Sequence, residues 1–146
     1  MMADNINTSE IKHFVREQLG CNCPDEVFSS VRVIDQPHAY KNLQVDCLIE
    51  IGGRLLLAIC INNLHSLAAR LELIMNTGRR YRDLHGFNRL RLVVATTHKE
   101  TQDAVQSAYD LLTLNDKKLH LHFVDPAGID LEFCRAIQLQ TIADLK

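Results

Sequence analysis

Hydrophobic residues in this chain fall in short blocks whose spacing alternates between that of helices and that of strands. The sharpest block is Val45–Asn62, VDCLIEIGGRLLLAICIN, in which two apolar runs flank Gly52 and Gly53. Paired glycines in that setting predict a β-hairpin, because a two-residue primed turn needs positive φ at its centre. Such a turn sets Ile51 opposite Arg54, Ile49 opposite Leu56 and Cys47 opposite Ala58. On the other side Glu50, Leu48 and Asp46 then face Leu55, Leu57 and Ile59. The second run is apolar on both sides from Leu55 to Ile61, which predicts a central strand covered on both faces. Asp46 stands out as a carboxylate on a strand whose partner is aliphatic.

Helical spacing precedes and follows the hairpin. Asn7 and Glu10 form a capping-box-like start for a helix to Leu19, with Ile11, Phe14, Val15 and Leu19 on one face and Gly20 as the stop. Pro24 opens a single turn over Asp25–Phe28, with Cys23 at its N-cap, and Val31–Ile34 reads as a short strand. A polar connection containing Pro37 leads into the hairpin. Downstream, Asn62 or Asn63 caps a long helix to about His85, with Leu64, Leu67, Leu71, Ile74 and Met75 facing inward. Leu90–Ala95 is a buried strand. Thr97 and Glu100 pair as a capping box for a helix lined by Ala104, Val105, Ala108 and Leu112. Leu119–Val124 alternates with period two, and Ile129–Leu145 is predicted to be helical. Helices long enough for right-handed crossovers separate the last three strands, so those strands should be parallel. The predicted architecture is one α/β domain over residues 1–146. Its mixed sheet of about five strands has a central antiparallel hairpin, parallel C-terminal strands and flanking helices.

Composition acts mainly by exclusion. The 146 residues are 47% hydrophobic and 23% charged, which describes a folded chain rather than a disordered one. A net charge of -2 argues against a surface devoted to nucleic acid. No apolar run approaches the roughly 20 residues of a membrane helix, and the first ten residues lack the features of a secretory signal. A cytoplasmic protein without membrane contact is the expectation. Its 5 cysteines, an odd number, are then expected to be reduced thiols.

Three groups of residues carry candidate chemistry. Cys21 and Cys23 form a Cys-x-Cys pair that supplies half of a zinc site or a redox dithiol; His120 and His122, two apart on one strand, would complete a Cys2His2 set. The competing reading has the thiols packed as small hydrophobes and the histidines on a half-exposed sheet face. Arg79, Arg80, Arg82, Arg89 and Arg91 gather against a single acid, Asp83, and offer a surface for phosphate, nucleic acid or an acidic partner. Against this stands a solvated helix end, where cations complement the dipole. No GxSxG, Walker A, GxGxxG or HExxH pattern is present.

The order helix, three strands, helix, strand resembles the core of the restriction-endonuclease-like nucleases. In that family an acid on the second strand and a Glu-x-Lys on the third hold a metal. Asp46 occupies the first position, but the tight-turn register puts Ile59 and Ile61 in the other two, so the resemblance implies a fold without its catalytic centre. The stretches LGCNCPDEVF, FNRLRLVV and LHLHF resemble a family of small microbial proteins that open in the same way and have no assigned activity to carry over. The resulting expectation is a non-catalytic α/β domain that binds a protein partner or itself. A metal or redox site at Cys21 and Cys23 is the alternative, and nucleic-acid binding by an inactive nuclease-like fold the second alternative.

Overall fold

The apolar blocks assemble side by side, in chain order, into a five-stranded mixed sheet. A computed structural model describes residues 8–34, 43–61, 64–112 and 116–128. Its strands are β1 (Val31–Ile34), β2 (Cys47–Ile51), β3 (Leu55–Cys60), β4 (Arg89–Ala95) and β5 (Leu119–Val124). The first three pair antiparallel and the last three parallel. The parallel connections run through α2 (Leu67–Leu84) and α3 (Lys99–Leu111), which supply the length a crossover needs. The α/β class, the mixed sheet, the antiparallel hairpin and the parallel C-terminal strands therefore follow the hydrophobic pattern. Among the described residues no helix is long and apolar enough to cross a membrane. The expected caps at Asn7, Asn62 and Asn63, the connection around Pro37 and the helix from Ile129 lie outside the described residues.

Each sheet face has its own core. One face packs Ile49, Ile51, Leu55, Leu57 and Ile59 against Ile11, Phe14 and Val15 of the N-terminal helix and against Val27 and Phe28. The N-terminal helix starts as α1 (Thr8–His13) and continues as a π-helical turn, Phe14–Gln18. The other face packs Leu48, Leu56, Ala58, Leu90, Leu92 and Val94 against Leu67, Leu71, Ile74 and Met75 of α2 and Val105 of α3. All six residues of β3 are buried, as expected of a strand covered on both sides.

Two helix starts differ from the pattern. Pro24 takes the N-cap of the 3-10 turn Asp25–Ser29, where its carbonyl accepts the Val27 N–H at 3.1 Å, so Cys23 lies one residue outside that cap. At α3, Thr97 and Glu100 do not make a capping box. Thr96 holds this entry instead: its hydroxyl accepts the His98 N–H (3.1 Å) and its carbonyl the Gln102 side-chain amide (2.9 Å). Thr96 is buried at the end of β4, where the strand can orient both acceptors.

The hairpin register is the main correction. Gly52 and Gly53 do have positive φ (59° and 66°), and the Arg54 N–H closes the turn on the Ile51 carbonyl at 3.0 Å. The ladder, however, resumes with Leu55 opposite Ile51, Leu57 opposite Ile49 and Ile59 opposite Cys47. Arg54 is left out as an extra residue, because its carbonyl turns to β4 and accepts the N–H groups of Asn88 (2.8 Å) and Arg89 (3.1 Å). A slip of one residue exchanges the two faces of β3. Both faces are aliphatic, so the core accommodates either.

Gly52 is further tied by its N–H to the Ser30 carbonyl at 2.7 Å, and a Cβ at this position would overlap the Val27 carbonyl. A Cβ on Gly53 would meet open space. Gly52→Ala is therefore expected to destabilise the fold by about 2–4 kcal/mol and Gly53→Ala by only about 1 kcal/mol, read as denaturant midpoints.

Candidate functional site

The slipped register decides what surrounds Asp46. Its neighbours on β3 are Ala58 and Cys60 rather than Ile59 and Ile61, and neither pair supplies a carboxylate or an ammonium group. The Asp46 carboxylate accepts the Ile61 N–H at 2.6 Å, extending the pairing of β2 and β3 past the last ladder residue. Cys60 is buried, and burial followed by the charge of Asp46 pushes its thiol up to about 12, which removes it as a nucleophile at neutral pH.

A second place on the sheet gathers more chemistry. At the N-terminal edge of β3 and β4 a cleft of about 500 Å³ lies between the loop Gly20–Pro24 and the strands. Arg54, Arg89 and Arg91 line it, together with Cys21, Cys23 and Asn88. The register brings the guanidiniums together: Leu55 aligns with Arg89 and Leu57 with Arg91, so both arginines project from the face that carries the N-terminal core. Arg54 arrives through the carbonyl that holds Asn88 and Arg89. Among the described residues no carboxylate pairs with any of these three arginines.

The histidines stand on β5, one strand further out, and Arg89 and Arg91 lie between them and the cysteines. Nη1 of Arg89 is 2.9 Å from Nε2 of His120, and Nη1 of Arg91 is 2.9 Å from Nε2 of His122. A guanidinium can only donate, so both Nε2 atoms accept and both rings are neutral with the proton on Nδ1. Burial, then Arg91 and Arg89, hold His120 below its ordinary range, and burial, then Arg91 and His120, lower His122 to about 4. Arg91 is itself pulled down by burial and by Arg89 beside it, and its Nε is buried with no hydrogen-bond partner among the described residues.

Cys21 and Cys23 are joined as a disulfide, with Cα atoms 5.6 Å apart, so the expectation of reduced thiols does not hold for this pair. A bridge over one residue closes a very small loop and stabilises the fold by only about 1–2 kcal/mol on the chain-entropy estimate. With the sulfurs bonded to each other and the imidazoles facing arginines, the expected zinc set of Cys21, Cys23, His120 and His122 does not come together. Among the described residues no three His, Cys, Asp or Glu side chains group as metal ligands.

The five clustered arginines are divided by the sheet. Arg79, Arg80 and Arg82 belong to α2 on the opposite face. Arg79 donates to Asn76 Oδ1 at 3.5 Å. Arg80 is exposed. Arg82 is buried, with Nη2 2.7 Å from Asp116 Oδ2 and 2.9 Å from Asp83 Oδ1, so it fastens the end of α2 to the segment before β5. Arg54 escaped the sequence reading, because a single arginine after a glycine turn gives no signal until the bulge turns it to the cleft.

Comparison with protein-family models, with curated proteins and with solved structures returned no match. The site therefore rests on its own geometry.

Two outcomes follow. Arg82→Ala is expected to destabilise by on the order of 2 kcal/mol, since it leaves Asp116 without its ion pair, whereas Arg80→Ala stays within about 0.5 kcal/mol, both by denaturant unfolding. When folded, His122 protonates only towards about 4 and His120 below its ordinary range, whereas both protonate near their ordinary 6.5 when unfolded. The unfolded chain then binds more protons, so stability should fall as the pH drops from about 6.5 towards 5. Partial exposure keeps the slope below about 1.4 kcal/mol per pH unit per histidine. Denaturant midpoints for His120→Gln/His122→Gln should lose that slope.

Proposed function

We propose that this protein is a non-catalytic α/β binding domain whose cleft holds an anionic group, a carboxylate or a phosphate, of its partner. The observation that carries this reading is the convergence of Arg54, Arg89 and Arg91 on one cleft with no paired carboxylate among the described residues. Two half-buried guanidiniums on adjacent positions of one strand face repel each other and are poorly solvated, and an anion between them relieves both. The neutral histidines behind them contribute no competing positive charge and hold the arginines by their Nε2 lone pairs. Ala58 and Cys60 beside Asp46 support the non-catalytic part, because the nuclease-like position offers no second oxygen ligand. The opposite-face arginines of α2 fall outside this site.

A cleft of about 500 Å³ suits one anionic group rather than a polyanion running across a surface, so nucleic acid remains the less favoured partner.

Titration with inorganic phosphate at low ionic strength, followed by amide chemical shifts, tests the proposal. The expected result is saturable binding with a dissociation constant on the order of 1 mM, shifts centred on Arg54, Arg89 and Arg91, and at least tenfold weakening in Arg89→Ala/Arg91→Ala. Arg79→Ala/Arg80→Ala should leave it unchanged. Absence of saturation, or equal affinity in the Arg89→Ala/Arg91→Ala protein, would overturn the assignment. A steep salt dependence with mixed oligonucleotides, lost in the same variant, would favour nucleic acid instead.

A further inference from the structure

The Cys21–Cys23 bridge lines the same cleft as the three guanidiniums, and both cysteines are half-buried rather than enclosed. It joins two positions of one short loop and ties no distant elements together. The loop has other fastenings. Arg16 Nη2 donates to the Cys23 carbonyl at 2.7 Å and to Asp25 Oδ1 at 2.6 Å, and the Cys21 N–H bonds the Val15 carbonyl at 3.2 Å. The negative charge of Asp25 is countered by Lys12 (3.0 Å) and Arg16, which hold its carboxyl below the usual range. The cysteines thus face a cationic cleft, and opening the bridge leaves the loop anchored.

We propose that this bridge is a reversible dithiol–disulfide that exchanges electrons with an anionic low-molecular-weight thiol, whose carboxylate the arginines seat beside the sulfurs. The proposal rests on the anion-binding reading of the cleft and names the ligand class for it. A thiolate of the ligand attacks one bridge sulfur; a new S–S bond forms, the old one breaks, and the other cysteine leaves with the electron pair as a thiolate. A second ligand thiolate attacks the ligand sulfur of that mixed disulfide and frees the first cysteine. Two ligand thiols are oxidised to one disulfide, the bridge gains two electrons, and the cysteines take up two protons. The reverse sequence oxidises the dithiol. Cys47 and Cys60 are buried and take no part.

The test uses the full oxidised chain and three thiols that differ in charge: mercaptopropionate, mercaptoethanol and cysteamine. Rates of bridge opening are corrected for thiolate fraction and intrinsic nucleophilicity. The expected order runs from mercaptopropionate down to cysteamine, with about tenfold between the ends at low salt and little difference at high salt. Arg89→Ala/Arg91→Ala should abolish the preference, and Arg89→Lys/Arg91→Lys, which keeps the charge, should restore most of it. Equal rates for the three thiols, an undiminished preference in the alanine variant, or a bridge that none of them opens would overturn the proposal. Phosphate titration of Cys21→Ser/Cys23→Ser separates the two readings. Binding there without thiol preference in the native chain sinks the exchange alone; no binding in this variant or the native chain sinks the cleft as an anion site as well.

Discussion

One carbonyl, that of Arg54, fixes the relation between the two halves of the sheet. It accepts the N–H groups of both Asn88 and Arg89, so the end of the hairpin turn and the start of β4 are held at a single point. That demand takes Arg54 out of the β2–β3 ladder and moves the pairing on by one residue. The same contact sets Leu55 beside Arg89 and so decides which residues of the parallel strands share a face. Both the composition of the cleft and the neighbours of Asp46 follow from it.

The two faces of the sheet then take different characters. On the α2 and α3 side β4 contributes Leu90, Leu92 and Val94 to a continuous aliphatic core. On the other side Val93 and Ala95 join the core while Arg89 and Arg91 reach the cleft and His120 and His122. Cross-strand pairing aligns Arg91 with His120 and Val93 with His122, whereas the side-chain bonds run Arg89 to His120 and Arg91 to His122. Each guanidinium thus leans along the sheet to a ring that can serve it only as an acceptor. The cost of burying this positive charge is met in part by those bonds, and the unpartnered Nε of Arg91 shows where satisfaction stops.

Charge clusters in sequence and in space are different objects here. Arg82 stands two residues from Arg80, yet it is a buried ion-pair partner of Asp116, while Arg80 faces solvent. Arg54 is more than thirty positions from Arg89 in the chain and lines the same cleft. The disulfide has a comparable logic. With only one residue between its ends it constrains the chain weakly, so its place against the guanidiniums says more about it than any contribution to stability.

Among the described residues the hydrophobic pattern alone determined the element order, the α/β class, the antiparallel hairpin, the parallel C-terminal strands and the residues of β1 and β5, because burial periodicity is a local property written into the side chains. The paired glycines likewise announced positive φ at both turn centres. What they left open was the register: LLLAIC presents aliphatic groups to either side, so no polar residue penalises the wrong pairing. The hydrogen bonds from Asn88 and Arg89, more than thirty residues downstream, hold the observed alternative. The split of the arginines across the sheet and the entry of Arg54 into the cleft belong to the same class. Each depends on which elements meet in space, and hydrogen bonding across the fold, not local propensity, makes that choice.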